Sequence, residues 1–219
     1  MTYANVKARL FAIAQSFEGS DPARPALNAV MITPAKNHGA IIVGTNGHAL
    51  ICIHDKDAVV SKPMSVHFFG ISRYLIRRLG VDSGADLVFG LKYDGAFSAT
   101  IVRGRHNYAL VDGEMLPEHF DGWRKVVSKF IETNAADGKP AAVQNIYVKK
   151  MAVAGRDLRR FAGLYSNDIK LSCMSCSGSN EPVFIRWPDI DFAFGFIMPT
   201  NIEIDWGYPQ FILDFLQQD

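Results

Sequence analysis

The sequence predicts an α+β fold assembled from repeated units, each of one helix and three or four antiparallel strands. Three observations carry this reading. Apolar stripes at helical spacing run through Val6, Leu10, Ile13 and Phe17, and again through Met151, Ala154, Leu158, Phe161 and Tyr165. Short strand-like runs follow the helices, with Asn46-Gly47 and Asp94-Gly95 between them as tight-turn pairs. The same order of elements then recurs three times along the chain.

In the first unit a helix is predicted from Asn5 to Phe17, ended by Gly19, Asp21, Pro22 and Pro25. Strands follow over Leu27 to Thr33, Ala40 to Thr45 and Ala49 to His54. The second unit opens with a strand, Met64 to Phe69. Ser72 then caps a short helix that ends at Gly80. Its strands are Leu87 to Tyr93, Ala96 to Arg103 and His106 to Val111, the last two separated by Gly104. A polar, small-residue linker, Thr133 to Pro140, introduces the third unit. There a strand near Ala142 to Ile146 leads into the Met151–Tyr165 helix. Strands at Ile169 to Met174, Val183 to Trp187 and Phe192 to Met198 complete it. Each sheet hides one face beneath its helix.

The 219 residues suffice for one large domain or two small ones. With 48% hydrophobic and 21% charged residues the composition is globular, which excludes a disordered chain. No apolar run approaches the roughly 20 residues of a membrane span. The chain does not open on a signal segment, and its three cysteines, Cys52, Cys173 and Cys176, do not suggest a bridged secreted framework; the expected location is cytoplasmic. Net charge is +1, but the cations cluster on the predicted helices: Lys7 and Arg9, then Arg73, Arg77 and Arg78, then Lys149, Lys150, Arg156, Arg159 and Arg160. If the helices share a surface, it is basic and suits phosphate contact without base reading. The alternative is three ordinary solvated helix faces.

Four segments, in order, resemble the bacterial DNA polymerase III beta sliding clamp family. Arg24-Pro25-Ala26-Leu27-Asn28-Ala29-Val30 is similar to the family's arginine followed by Leu-Asn-Gly. Gly44-Thr45-Asn46-Gly47-His48-Ala49-Leu50 is similar to Ala-Thr-Asp-Gly-His-Arg-Leu. Met115-Leu116-Pro117 through Trp123-Arg124-Lys125-Val126 is similar to the Phe-Pro-Asp-Tyr-Arg-Arg-Val connector. Gly195-Phe196-Ile197-Met198-Pro199 is similar to the closing Val-Val-Met-Pro.

The resemblance implies a DNA-clamp fold, with helices lining a DNA-sized hole and sheets outside. It implies no catalytic site and no cofactor or metal. It also implies a hydrophobic pocket that holds partner peptides, formed by Leu27, Thr45, Gly47, His48, Leu50, Pro117, Lys125, Val126, Phe196, Ile197, Met198 and Pro199. Aliphatic and thioether groups suit such an adaptable cavity. Two departures, Asn46 for aspartate and Ala49 for arginine, make its rim less charged. The connector is a few residues longer, within Glu118 to Gly122.

The family's subunit has six units and this chain shows three, about one and a half clamp domains. The division expected is a complete domain over 1–126, a half domain over 127–200 and a tail over 201–219. This resembles the short clamp-like proteins of phages and plasmids. A ring would then need a homo-oligomer, a dimer that mimics one long subunit or a tetramer that closes. The partners implied are double-stranded DNA without sequence specificity, and a DNA polymerase or other clamp-binding protein.

Beyond Pro199, Gln210, Leu213 and Phe215 have a spacing similar to peptides that clamp partners insert into the pocket. The plainer account is a terminal element whose Phe211, Leu213 and Phe215 cover a core edge. Enzyme readings find little support. Cys173 and Cys176 have metal-pair spacing but lack a second pair, and strand positions three apart face opposite ways. His48 beside Thr45 lacks an acidic orienting partner. His67, His106 and His119 are scattered, and Asp189 and Asp191 fit a loop. Two functions remain: a clamp that encircles DNA, or a peptide-binding adaptor or decoy of a host clamp that never does.

Overall fold

The computed structural model describes residues 2–79, 84–92, 96–117, 122–134, 157, 160–161, 172–174, 183–187 and 190–198. The chain opens with β1 (Thr2–Lys7), followed by α1 (Ala8–Gln15), a 3-10 turn (Pro25–Asn28), β2 (Val30–Pro34), β3 (Ala40–Thr45), β4 (Ala49–Asp55) and the short β5 (Val59–Val60). A second set follows: β6 (Met64–Phe68), α2 (Gly70–Leu79), β7 (Asp86–Leu91), β8 (Phe97–Arg103) and β9 (His106–Leu116). Next come α3 (Gly122–Asn134), β10 (Ser172–Met174), β11 (Val183–Arg186) and β12 (Ala193–Ile197).

The strands form one sheet of twelve in the order β10-β11-β12-β4-β3-β2-β6-β9-β8-β7-β1-β5, with every pairing antiparallel. Two exchanges join its parts. β1 leaves its own unit to pair with β7, while β6 returns to pair with β2. Long β9 pairs with β8 over its first half and with β6 over Gly113–Leu116. At the other end β12 pairs with β4, tying the third unit to the first.

The helices α1 and α2 pack against each other, and α1 lies across β1, β2, β3, β4 and β7. Phe11 at the centre of α1 meets Phe68 and Phe89 at 5.7 and 5.6 Å between ring centroids. Gly44 lets α1 come this close: a Cβ there would overlap the Ala14 carbonyl oxygen. Phe161, from the third predicted helix, is fully buried between Phe17 (4.7 Å) and Trp187 (5.9 Å). On the opposite face of the sheet, Met31, Val43, Leu50, Cys52, Trp123 and Phe196 make a second apolar cluster. α3 covers it through Trp123 and Val127.

Several expected elements are corrected. The first helix starts at Ala8, because Ala4 and Val6 are buried while Asn5 and Lys7 are half-buried, the period-two pattern of a strand paired with β7. Pro25–Asn28 is a 3-10 turn, so the next strand starts at Val30 and not at Leu27. Ser72 lies inside α2 rather than capping it; its Oγ accepts the Asp112 backbone N–H at 3.0 Å. β9 runs five residues past Val111, and β5 was not foreseen. α3 was not expected; it runs from the end of the connector into the expected Thr133–Pro140 linker. The strand near Ala142–Ile146 and most of the Met151–Tyr165 helix lie outside the described residues. Among the described residues, no helix is long and apolar enough to cross a membrane, and no group of three His, Cys, Asp or Glu could hold a metal.

Candidate binding pocket and basic helix face

The turn between β3 and β4 is held by its own side chains. Asn46 Oδ1 accepts the backbone N–H of His48 at 2.9 Å and of Ala49 at 2.7 Å. Thr45 Oγ1 accepts the Gly47 N–H at 3.1 Å and donates to the Ala49 carbonyl at 2.9 Å. Gly47 has φ of 86°, a left-handed conformation that side chains disfavour. A Cβ there would also lie 3.3 Å from Arg24 Nη1 and 3.4 Å from Leu27 Cδ1. The turn therefore seats directly against Pro25–Asn28.

From the other side β12 completes the enclosure. Phe196 pairs with Leu50, and the Met198 N–H donates to the His48 carbonyl at 2.7 Å. Together with α3 these segments enclose a cavity of about 500 Å³, lined by Ala23, Arg24, Pro25, Ala26, Leu27, Thr45, Gly47, His48, Ala49, Leu50, Val126, Phe196 and Met198. That volume lies within the ordinary range for ligand sites. Leu50 and Phe196 are buried as its floor, whereas Val126 and Met198 are 39% and 40% exposed at its mouth. Arg24 stands at the rim, where its Nε donates to Asp21 Oδ2 at 2.8 Å. This bond, and the Ala23 N–H at 2.9 Å, lower the Asp21 pKa. Cys52 lies in the cluster behind the floor, where burial pushes its thiol far up against the weaker pull of Arg124; it is a packing atom, not a nucleophile.

The structure gathers Leu27, Thr45, Gly47, His48, Leu50, Val126, Phe196 and Met198 around this one cavity. Ile197 is a correction. Strand neighbours face opposite ways, so while Phe196 joins the pocket-side cluster, Ile197 enters the main core. Pro117 is exposed after β9 and Lys125 is exposed on α3, and neither lines the cavity. Pro199 lies outside the described residues, as do Gln210, Leu213 and Phe215. Sequence reasoning missed Ala23, Arg24, Pro25, Ala26 and Ala49 as lining. The signal was Pro25: a proline-led tight turn presents consecutive residues to one side, where a strand would present alternate ones.

The basic side chains divide in two. Lys7 Nζ is 2.9 Å from Asp86 Oδ1, a bond that raises its pKa. Arg73 Nη2 lies 3.4 Å from Glu18 Oε2 and 3.3 Å from the Gln15 carbonyl. Arg160 Nη1 donates to the carbonyls of Ser16 (2.7 Å) and Glu18 (3.3 Å), while its Nε is 3.3 Å from Asp157 Oδ1. These bonds place two guanidiniums at the C-terminal end of α1, where the helix dipole favours cations. Arg77 is depressed first by desolvation and then by the charge of Arg73, with Arg160 adding to it. Glu18 sits buried among these arginines, and its carboxyl is nevertheless raised to about 8 because desolvation outweighs Arg73 and Arg77. Arg78 is exposed and reaches Tyr74 Oη at 3.2 Å, and Arg9 is half-buried on α1. Lys149, Lys150, Arg156 and Arg159 lie outside the described residues.

No family model and no curated protein sequence matches the chain. Solved structures do. A sliding clamp (DNA polymerase III subunit beta) from Bartonella birtlesii, bound to griselimycin, superimposes with a TM-score of 0.58 at 14% identity, covering 92% of this chain and 66% of that one. DNA polymerase III subunit beta from Borrelia burgdorferi, in complex with a natural product, gives 0.57 at 11% identity over 92% and 65%. A putative DNA polymerase III beta subunit from Eubacterium rectale gives 0.56 at 11% identity over 92% and 66%. The chain spans 65–66% of the length of these subunits. Its fold is that of the sliding clamps.

Proposed function

We propose that this chain is a clamp-like, non-enzymatic replication protein whose cavity between the Pro25–Asn28 turn, the Thr45–Leu50 turn, α3 and β12 holds short peptides of partner proteins. The observation that carries this is the cavity itself. A mostly apolar floor and mouth with a few polar rim groups is what a peptide of aliphatic and aromatic side chains requires. A DNA polymerase or another clamp-binding protein is the proposed source of the peptide. DNA contact through the phosphates falls to the α1–α2 face, with half-buried Arg9 and exposed Arg77 and Arg78 as its cations and Lys149, Lys150, Arg156 and Arg159 as further candidates. A homo-oligomer of the short phage or plasmid kind, in the cytoplasm, completes the proposal.

The test of the pocket is methyl NMR of the full chain. Griselimycin, or a partner peptide, should shift the Leu27, Leu50 and Met198 methyl resonances, and Met198→Asp should weaken binding at least tenfold. Unmoved resonances at saturating ligand would overturn the assignment.

A second reading, an adaptor or decoy that never encircles DNA, is favoured by one observation. Lys7, Arg73 and Arg160 are all engaged inside the fold, which leaves fewer cations for phosphates. Retention on circular but not linearised DNA, with a steep salt dependence, supports the clamp. Peptide binding without any such topology dependence supports the adaptor.

A further inference from the structure

Met198, the residue after β12, lines the proposed pocket, and the residues that follow it in sequence carry apolar and acidic groups. Met198 lines the cavity and is pinned to its rim by the bond from its N–H to the His48 carbonyl at 2.7 Å. Residues 199–219 therefore start from the mouth of the cavity. That stretch contains Glu203, Asp205, Asp214 and Asp219 and no lysine, arginine or histidine. The rim carries the guanidinium of Arg24, which bonds Asp21 at 2.8 Å, and exposed Lys125 precedes Val126 on α3. Within the stretch, Phe211, Ile212, Leu213 and Phe215 form a dense apolar segment. The exposed Val126 and Met198 offer such a segment apolar contact at the mouth, and the buried Leu50 and Phe196 offer it below. Residues 199–209 span up to about 36 Å when extended, ample to turn back into a site that begins at Met198.

We infer that the segment Gln210–Phe215 of this chain is an internal ligand of its own pocket, which partner peptides must displace. The inference rests on the proposed peptide-binding role of the cavity. The tether alone supplies an effective concentration in the millimolar range, so even a weak segment keeps the pocket occupied and raises the affinity that a partner needs. Arg24, the guanidinium that lines the cavity, already holds Asp21 at 2.8 Å, so the tether and the apolar side chains carry the docking and Asp214 adds a smaller, salt-sensitive part.

The experiment compares the full chain with a full-length variant carrying Leu213→Asp and Phe215→Asp. The probe is a fluorescein-labelled synthetic peptide of residues 209–219, followed by anisotropy, with griselimycin and the Met198 methyl resonance as an independent report on the cavity. Matching thermal unfolding of the two chains guards against a folding defect, and Asp214→Lys, which alters charge alone, serves as the second variant. Release of the tail should tighten probe binding about tenfold or more, Asp214→Lys should tighten it less, and the suppression in the parent chain should not change on dilution. Equal, measurable affinity in both chains would overturn self-occupation while leaving the pocket reading intact. So would a probe that binds neither chain although griselimycin still shifts Met198. If neither ligand reaches the cavity, the pocket reading itself fails, and this inference with it.

Discussion

Asn46 shows how one residue can serve both a turn and a distant contact. Its carbonyl oxygen caps the turn, and its amide Nδ2 donates to Asp157 Oδ1 at 3.0 Å. An aspartate here would keep the first role but set two carboxylates against each other. Asn46→Asp should therefore cost about 1–3 kcal/mol, read from the urea midpoint at neutral pH, and most of the loss should vanish in Asn46→Asp/Asp157→Asn. Glu18 makes a second prediction. Its folded pKa, about 8, lies above the ordinary 4.5, so the unfolded chain releases the proton first. The stability it contributes is fully present below about 4.5 and is lost as pH rises to about 8, a fall on the order of a few kcal/mol. Glu18→Gln should flatten the stability profile across that window; an unchanged profile would show that another group sets it.

At the level of elements, α1 lies hard against β3 at Gly44. Gly44→Val would drive a side chain into the Ala14 carbonyl, which belongs to helix backbone and cannot swing aside. The expected loss is about 1–3 kcal/mol or more by urea unfolding. Which elements were legible follows from the same physics. β3, β4 and β8 stood out because tight turns and apolar runs bound them. Residues 5–7 read as helix because a buried Val6 fits either period, and the pairing that decides it comes from β7, some eighty residues away. α3 was hidden because its start falls in the connector motif and its end in the expected linker, although Trp123, Val127 and Ile131 recur at helical spacing. Of the twelve residues expected at the pocket, eight line one cavity, and four of these, Thr45, Gly47, His48 and Leu50, sit in or beside a turn whose chemistry is local. Ile197 was misplaced because a motif names neighbours together while a strand sends them apart.

For the whole molecule, the first half of β9 has one unpaired edge among the described residues, since its β6 partner begins only at Gly113. Tyr108 and Leu110 on that strand are 55% and 56% exposed, and Ile71 and Tyr74 on the adjoining α2 are 75% and 55% exposed. An open edge beside uncovered apolar side chains favours pairing with another copy. Ile71→Asp combined with Leu110→Asp should reduce the solution mass to that of one chain in sedimentation equilibrium. A parent protein already of that mass would sink the homo-oligomer.

The crossing of β12 onto β4 also sets an order of events during synthesis. Contacts between residues 49–53 and 193–197 can form only after the roughly 140 residues between them have been made. The strands from β1 to β9 have one another as partners long before, whereas the cavity waits for its last wall. A nascent chain halted before residue 193 would thus hold strands β1 to β9 while its cavity still lacked the wall that Phe196 and Met198 supply.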